Sequence, residues 1–353
     1  MIAHRLKVAR AAAGLSLRAL AVRIDHLVTP QAIGKYERGE MVPGSQVLAA
    51  LARALDVPLP SLLRPERASL QTVDFRTHAA AGKKQLAAVR ARVLDCAERQ
   101  VEVEDLLHAA GNREKWPSQF PWSVAQLMDA EEAANALRRG WNLGGDPIPD
   151  MATLLEDRGV MVFSLALPPG VSGLGGDVRR ADGTGVRFVC VNSTHAGERQ
   201  RFTLAHELGH LALQPTHGVD VEKACQRFAG AFLVPATALR GQLGAHRARI
   251  NIPELFALKS VFGVSAQAIA YRCQDAGIVG AEAGRTLFRA FSQRGWRTRE
   301  PMPVPGETPS RFRRLCLRAL SEGVVTESKA AELLNVRAFE LDSLITPSSP
   351  AGA

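Results

Sequence analysis

Two histidines four residues apart, with a glutamate directly after the first, stand in the run TLAHELGHLAL from Thr203 to Leu213. On an α-helix, positions four apart share a face one turn on. His206 and His210 can therefore grip one metal ion while Glu207 leans over it. Zinc in a hydrolytic site takes a third protein ligand and keeps a fourth position open for water. Four candidates for that third ligand follow closely, His217, Asp220, Glu222 and Cys225, and those on the next predicted helix can be held opposite the first. Glu222 falls in that helix's first turn, where a carboxylate also suits the helix dipole. Such a set serves metal-assisted hydrolysis, with the glutamate carrying the proton. His195, Arg201 and His217 are the neighbours that could support a developing oxyanion.

A five-residue pattern also arises by accident, so the surrounding elements matter. The run VRFVCVN, from Val186 to Asn192, predicts a strand. STHAGERQRFTLAHELGHLAL follows, with Ser193 or Thr194 as N-cap and no proline until Pro215, which predicts a helix of about four turns. VEKACQRFAGAFLV predicts a second helix from Val221 to a stop at Pro235. Upstream, PDMATLLEDRG reads as a helix and VMVFSLAL as a buried strand. The glycine-rich PPGVSGLGG lacks a Walker lysine and a G-x-G-x-x-G spacing, so it reads as a site rim or hairpin loop rather than a phosphate cradle. Two long helical patterns, beginning at Gly82 and Ser123, are separated by NREKWPSQFP, whose prolines and aromatics break the helix.

Near the amino terminus, HRLKVARAAAGLSLRALAVRI breaks at Gly14, restarts at the N-cap candidate Ser16 and stops near Asp25. In VTPQAIGKYERGE, Thr29 can cap a helix, Pro30 suits its first position and Gly39 can end it. SQVLAALARALDV then places Leu48, Leu51 and Leu55 on one side of a further helix. Two helices joined by a tight turn have the spacing of a helix-turn-helix. The chain has 353 residues, net charge +9 and pI near 9.7, yet arginine and alanine abound throughout, so charge alone says little. Its distribution says more: residues 1–63 carry eight Lys/Arg against four Asp/Glu, and residues 285–318 nine against two. Toward the carboxyl end, FALKSVFGVSAQAIAYRCQDAGIV has a helix-turn-helix-like rhythm that RFRRLCLRALSEGVVTESKAAELLNV repeats.

The five cysteines are odd in number and scattered without a Cys-x-x-Cys pair, which suggests neither a disulfide framework nor a thiolate zinc site. Arg10 and Arg18 interrupt any signal-peptide core, and no run approaches the roughly 18 apolar residues of a membrane span. A soluble, cytoplasmic protein with no membrane partner is expected.

The segments GLSLRALA, IGKYERGEMVPG and LAALARALDVPLPSLL resemble the N-terminal domain of the Xre, lambda-repressor-like, transcription regulators. That resemblance implies a helix in the major groove of double-stranded operator DNA. It would present Thr29, Gln31, Ala32 and Lys35, with Lys35 and Arg38 reaching phosphates, and two copies would read two half-sites as a homodimer. Where the family commonly has glutamines at the starts of its second and third helices, this chain has Leu17 and Pro30. RFTLAHELGHLAL followed by EKACQRFAGAFLVP, with DAEEAANALRRGWNLGGDPIPDMATLLEDRGVMVF upstream, resembles the ImmA/IrrE metallo-endopeptidases over roughly residues 123–240. By resemblance the domain is zincin-like, Zn2+ is held by His206, His210 and Glu222, and Glu207 is the catalytic glutamate. Ala224 and Cys225 stand where that family often carries polar or acidic residues. Members of the family cut repressors, so the implied protein substrate is a regulatory protein.

The expected fold class is α+β, mostly helical: a helix-turn-helix domain at 1–66, a helical connector at 67–122, and a zincin-like metallopeptidase domain at 123–245. A helical C-terminal region at 246–345 and a disordered tail at 346–353 complete the expectation. The implied function is a DNA-binding regulatory zinc metallopeptidase acting in a stress, mobile-element or toxin-antitoxin response. The rival is a non-cleaving transcription regulator or antitoxin that uses the zinc domain as a sensor or partner-binding module.

Overall fold

A computed structural model describes residues 2–74, 82–109, 116–337 and 339–341. The expected tail at 346–353 lies outside the described residues. The chain forms two compact units, one of Met1–Arg113, Gly176–Val186 and Ser310–Ala353, the other of Glu114–Gly175 and Arg187–Pro309. Among the described residues, no helix is long and apolar enough to cross a membrane.

The first unit opens with α1 (Ile2–Ala12), α2 (Leu17–Arg23), α3 (Pro30–Arg38) and α4 (Ser45–Leu55). Local chemistry sets their ends. Ser16 accepts from the Ala19 amide, Thr29 accepts from the Ala32 amide, and Pro30 takes the first turn of α3. Gly39 closes α3 at φ 74°, a left-handed conformation that costs glycine little. Leu6, Leu20, Ile33, Tyr36, Leu51 and Leu55 fill the core between these helices. Arg10 of α1 grips both carboxylate oxygens of Glu37 on α3, at 2.5 and 2.7 Å. A strand, β1 (Ala68–Asp74), and a long helix, α5 (Lys83–Leu106), follow. Expected as a connector, α5 is the beam of this unit, because it buries Glu98, Glu102 and Glu104 against arginines from other elements. Arg5 of α1 pairs with Glu98, which helps hold the helix-turn-helix against α5.

The second unit contains β2 (Trp122–Val124), α6 (Leu127–Gly140), α7 (Met151–Asp157) and β3 (Met161–Leu165). The strands β4 (Gly173–Arg180) and β5 (Gly185–Asn192) leave it and return, so their turn lies in the first unit. The sheet order is β1-β4-β5-β3, with β3 parallel to β5 from Met161 opposite Phe188 to Leu165 opposite Asn192. Then come α8 (Gly197–Ala212), β6 (Leu213–Pro215), α9 (Val221–Leu233), α10 (Ala236–Leu243), α11 (Ile252–Phe262), α12 (Ala266–Asp275) and α13 (Ala281–Gln293). One apolar core runs through them, including Trp141, Phe228, Phe232 and Phe291.

Three local expectations change. The pattern starting at Ser123 begins as β2, which pairs parallel with β6, and becomes helical only at Leu127. Neither Ser193 nor Thr194 caps α8. The Thr194 hydroxyl bonds to the Asn192 side chain at 2.9 Å, and the helix starts later, after Ala196. The glycine-rich stretch is not a loop throughout, since Gly173 to Gly176 form the first half of β4.

Segment 300–309 ties the start of α8 to its surroundings through carboxylates. Glu307 accepts from Arg201 at 2.7 Å and from the Met151 and Ala152 amides opening α7. Glu300 accepts from the Ala266 and Gln267 amides opening α12 and from Lys259, which also donates to Glu198 on α8. Gly197 makes room for this segment: a Cβ there would stand 2.1 Å from the Pro305 carbonyl oxygen. In the first unit, α14 (Arg311–Ser321) and α15 (Glu327–Leu334) close the chain against α5, where Leu315, Cys316 and Leu333 cluster with Val103. Thr326 caps α15 and Asn335 ends it in the left-handed region.

Gly209 sets the spacing of α8 and α9. A Cβ there would lie 3.2 Å from Phe228 Cδ1 and 3.3 Å from Cys225 Cα and Cβ. Replacing it with leucine should force α9 outward and cost about 1–3 kcal/mol of second-unit stability, read as a lower urea unfolding midpoint. Lys259 is 1 % exposed between two carboxylates. Lys259→Met should leave both carboxylates buried without their cation and cost about 3–5 kcal/mol. Trp116, Trp122, Trp141 and Trp296 all lie in the second unit, so the urea midpoint read by tryptophan fluorescence measures this directly.

Candidate metal centre

The turn of α8 that carries the motif faces the first turn of α9. His206 Nε2 and His210 Nε2 stand 3.1 Å apart. Glu222 brings Oε2 to 3.2 Å from the first and Oε1 to 3.5 Å from the second. All three residues offer a ligand atom within 4.8 Å of the others. Electron-pair donors aimed at one point repel unless a proton or cation lies between them. Atoms held about 2.1 Å from a tetrahedral zinc ion stand about 3.4 Å from one another. The closest approaches are of that order, with one Glu222 oxygen facing each imidazole, so the donor set fits zinc.

The other candidates for third ligand have different tasks. Asp220 is the N-cap of α9 and accepts from the Lys223 amide at 3.1 Å. His217 sits exposed on the turn before α9, outside the ligand cluster. Cys225, fully buried, places Sγ 3.2 Å from His210 Nδ1, on the side of the ring away from the cluster. It touches His210 rather than joining the group of His206, His210 and Glu222. A partner at that nitrogen fixes which ring nitrogen is left to face a metal.

Glu207 is buried at 8 % exposure, on the side of α8 that meets β4. A Cβ at Gly173 would be 3.3 Å from Glu207 Oε1, and one at Gly175 would be 3.4 Å from Oε2. Residues two apart on a strand share a face. Gly173 and Gly175 therefore both line the Glu207 carboxylate, in a recess that Gly173 leaves first for Thr203 and the Cys190 carbonyl, from which a Cβ would stand 2.5 and 2.9 Å. Sequence reasoning placed this stretch near the site but missed the recess. The i, i+2 glycine pair in a strand-length run was the available signal.

Of the residues expected to support an oxyanion, Arg201 is engaged elsewhere. Arg201 is buried and spends its guanidinium on Glu307, on the Ile148 and Phe262 carbonyls, and on the Pro149 carbonyl. It is a structural clamp. His195 precedes α8, and its Nε2 lies 3.5 Å from the Asn192 amide nitrogen. Nine residues of α8 at about 1.5 Å each separate the helix start from His206, too far for His195 to touch the same carbonyl. Burial and Arg199 depress the His195 pKa.

On the DNA-facing candidate, Thr29, Gln31 and Lys35 are exposed along α3. Ala32 is half-buried and packs on the helix-turn-helix core, so it offers little surface to a base. Arg38 is bound by both oxygens of Glu40, at 2.5 and 3.0 Å, which holds its carboxylate partner below the usual range.

No curated protein matches the chain. The helix-turn-helix family matches residues 6–62, the segment that folds as α1 to α4 and the turn after them. The peptidase family described as the IrrE N-terminal-like domain matches residues 155–274, from the end of α7 through α12, and so includes every residue of the metal cluster. Residues 6–62 thus match a helix-turn-helix family and residues 155–274 a peptidase family, the arrangement expected of a fusion of an Xre-like domain with an ImmA/IrrE-type domain.

Proposed function

We propose that the protein is a cytoplasmic DNA-binding regulator whose second unit is a zinc-dependent endopeptidase acting on another regulatory protein. The observation that carries this reading is the convergence of His206, His210 and Glu222 beside a buried Glu207. His206, His210 and Glu222 would hold the zinc ion. Bound zinc supplies Lewis acidity, polarising a peptide carbonyl and acidifying water. Glu207 takes a proton from the attacking water and passes it to the leaving amine nitrogen. The recess made by Gly173 and Gly175 holds its carboxylate while the proton moves. Cys225 keeps His210 Nδ1 occupied, so Nε2 remains the nitrogen offered to a ligand.

The helix-turn-helix domain supports delivery of this activity to a promoter, where a repressor-type substrate would sit. Stress or mobile-element control of that substrate follows from the family's habits. The chain's basic amino-terminal region fits an operator partner.

The first test is co-expression of wild type and Glu207→Gln with proteins encoded nearby, reading neighbour mass and zinc content together. A neighbour cut by wild type alone, with both forms zinc-loaded, is the expected result. Cleavage by the Glu207→Gln form would remove Glu207 from the proton path. For DNA, Lys35→Ala should weaken operator binding and lower the salt slope by about one. Arg38→Ala should do less, because Glu40 already holds that guanidinium. Fluorescence anisotropy across a salt series measures both.

A further inference from the structure

The second unit contains a cavity of about 420 Å³, whose lining includes four arginines, Arg138, Arg139, Arg227 and Arg240, with Glu131 and Asp275. Its charges do not balance locally. Arg227 pairs with Glu131 at 2.6 Å and with Asp275 at 3.0 Å, and Arg272 takes the rest of Glu131. Those two acids are thereby matched by two arginines. Arg138, Arg139 and Arg240 remain.

Each of the three contributes differently. Arg138 is 2 % exposed, and its guanidinium donates to the neutral carbonyls of Gly144, Phe232 and Asp146, at 2.8, 2.5 and 2.5 Å. Burial pulls its pKa down to about 10, against the support of the exposed Asp146 carboxylate. It provides fixed positive charge in the wall rather than a free donor. Arg240 is exposed and gives one hydrogen bond, from Nη2 to the Ala276 carbonyl, leaving its other donors for a ligand. Arg139 is exposed and makes no ion pair among the described residues. Guanidinium groups bind carboxylate and phosphate through paired N–H donors, and several around one cavity select a multiply charged anion. The volume exceeds what one free phosphate fills and lies in the range of small-metabolite sites.

We propose that this cavity is a binding site for a small metabolite with a multivalent oxyanion head, contacted by Arg139 and Arg240 over the buried charge of Arg138. The site is separate from the metal centre and does not depend on proteolysis. It shares α9 with that centre, since Arg227 and Glu222 lie on the same helix.

Calorimetric titration of the full-length protein with inorganic phosphate, and separately with citrate, tests this against chloride at matched ionic strength. Wild type should bind one of them with a Kd of about 1 mM or tighter. The Arg139→Gln/Arg240→Gln variant should lose at least tenfold, with an unchanged tryptophan-fluorescence unfolding midpoint. Removing equal charge elsewhere, with Arg285→Gln/Arg289→Gln on α13, should leave binding intact. Preference for phosphate would identify a phosphorylated ligand, and preference for citrate a polycarboxylate. Neither anion binding beyond chloride, equal binding by the cavity variant, or equal loss in the α13 variant would overturn the proposal.

Discussion

The close approach of α8 and α9 at Gly209 is the constraint on which the gathering of His206, His210 and Glu222 depends. Helix pairs usually stand 8–10 Å apart, the distance depending on the side chains at the contact. With hydrogen at Gly209, Phe228 and Cys225 of α9 come directly against the α8 backbone. That contact places Glu222, one turn earlier on α9, across from His206 and His210. It also seats the Cys225 sulfur against His210 Nδ1. Widening this contact would separate the carboxylate from the imidazoles and strip His210 of its partner together. The glycine inside the motif is therefore a packing residue, and the chemistry follows from it.

The two ends of α8 are held by different physics. Its amino-terminal half is fixed by charge, through Glu198 with Lys259 and Arg201 with Glu307. Such pairs are costly to bury, and they persist where further hydrogen bonds satisfy the carboxylates. Here Glu300 and Glu307 also accept from the free amides at the starts of α12 and α7, so each oxygen is used. The carboxyl-terminal half is held by apolar packing and by the Gly173–Gly175 recess around Glu207. A helix anchored rigidly at one end can present a polar face at the other without that face stabilising the fold.

Much of this was legible in the sequence because it is local. Thr29, Pro30 and Gly39 specify their helix by backbone rules, and Thr326 and Asn335 do the same for α15. The histidine spacing needs nothing beyond helical periodicity. What stayed hidden depends on partners far along the chain. Arg201 looked available for catalysis because its sink, Glu307, is 106 residues away. The α5 segment looked like a connector because its buried glutamates are matched by Arg5, Arg64 and Arg180, none of them on α5. Short strands such as β2 and β6 have too few residues to show alternation, and they become visible only as a pair.

The choice of third ligand shows how local and distant information combine. Spacing alone allowed His217, Asp220, Glu222 and Cys225. The start of α9 separates them, because an N-cap aspartate must turn its oxygen to its own helix and Asp220 does so. Two residues on, Glu222 is in the first turn and its side chain crosses to α8. Three residues further, Cys225 has rotated almost one turn and meets the same histidine from its other nitrogen. His217, lying before the cap, is on exposed turn backbone that no helix orients. A shift of α9 by one residue would put Val221 or Lys223 where Glu222 stands, so the cap at Asp220 and the packing at Gly209 together decide which side chain faces the histidine pair.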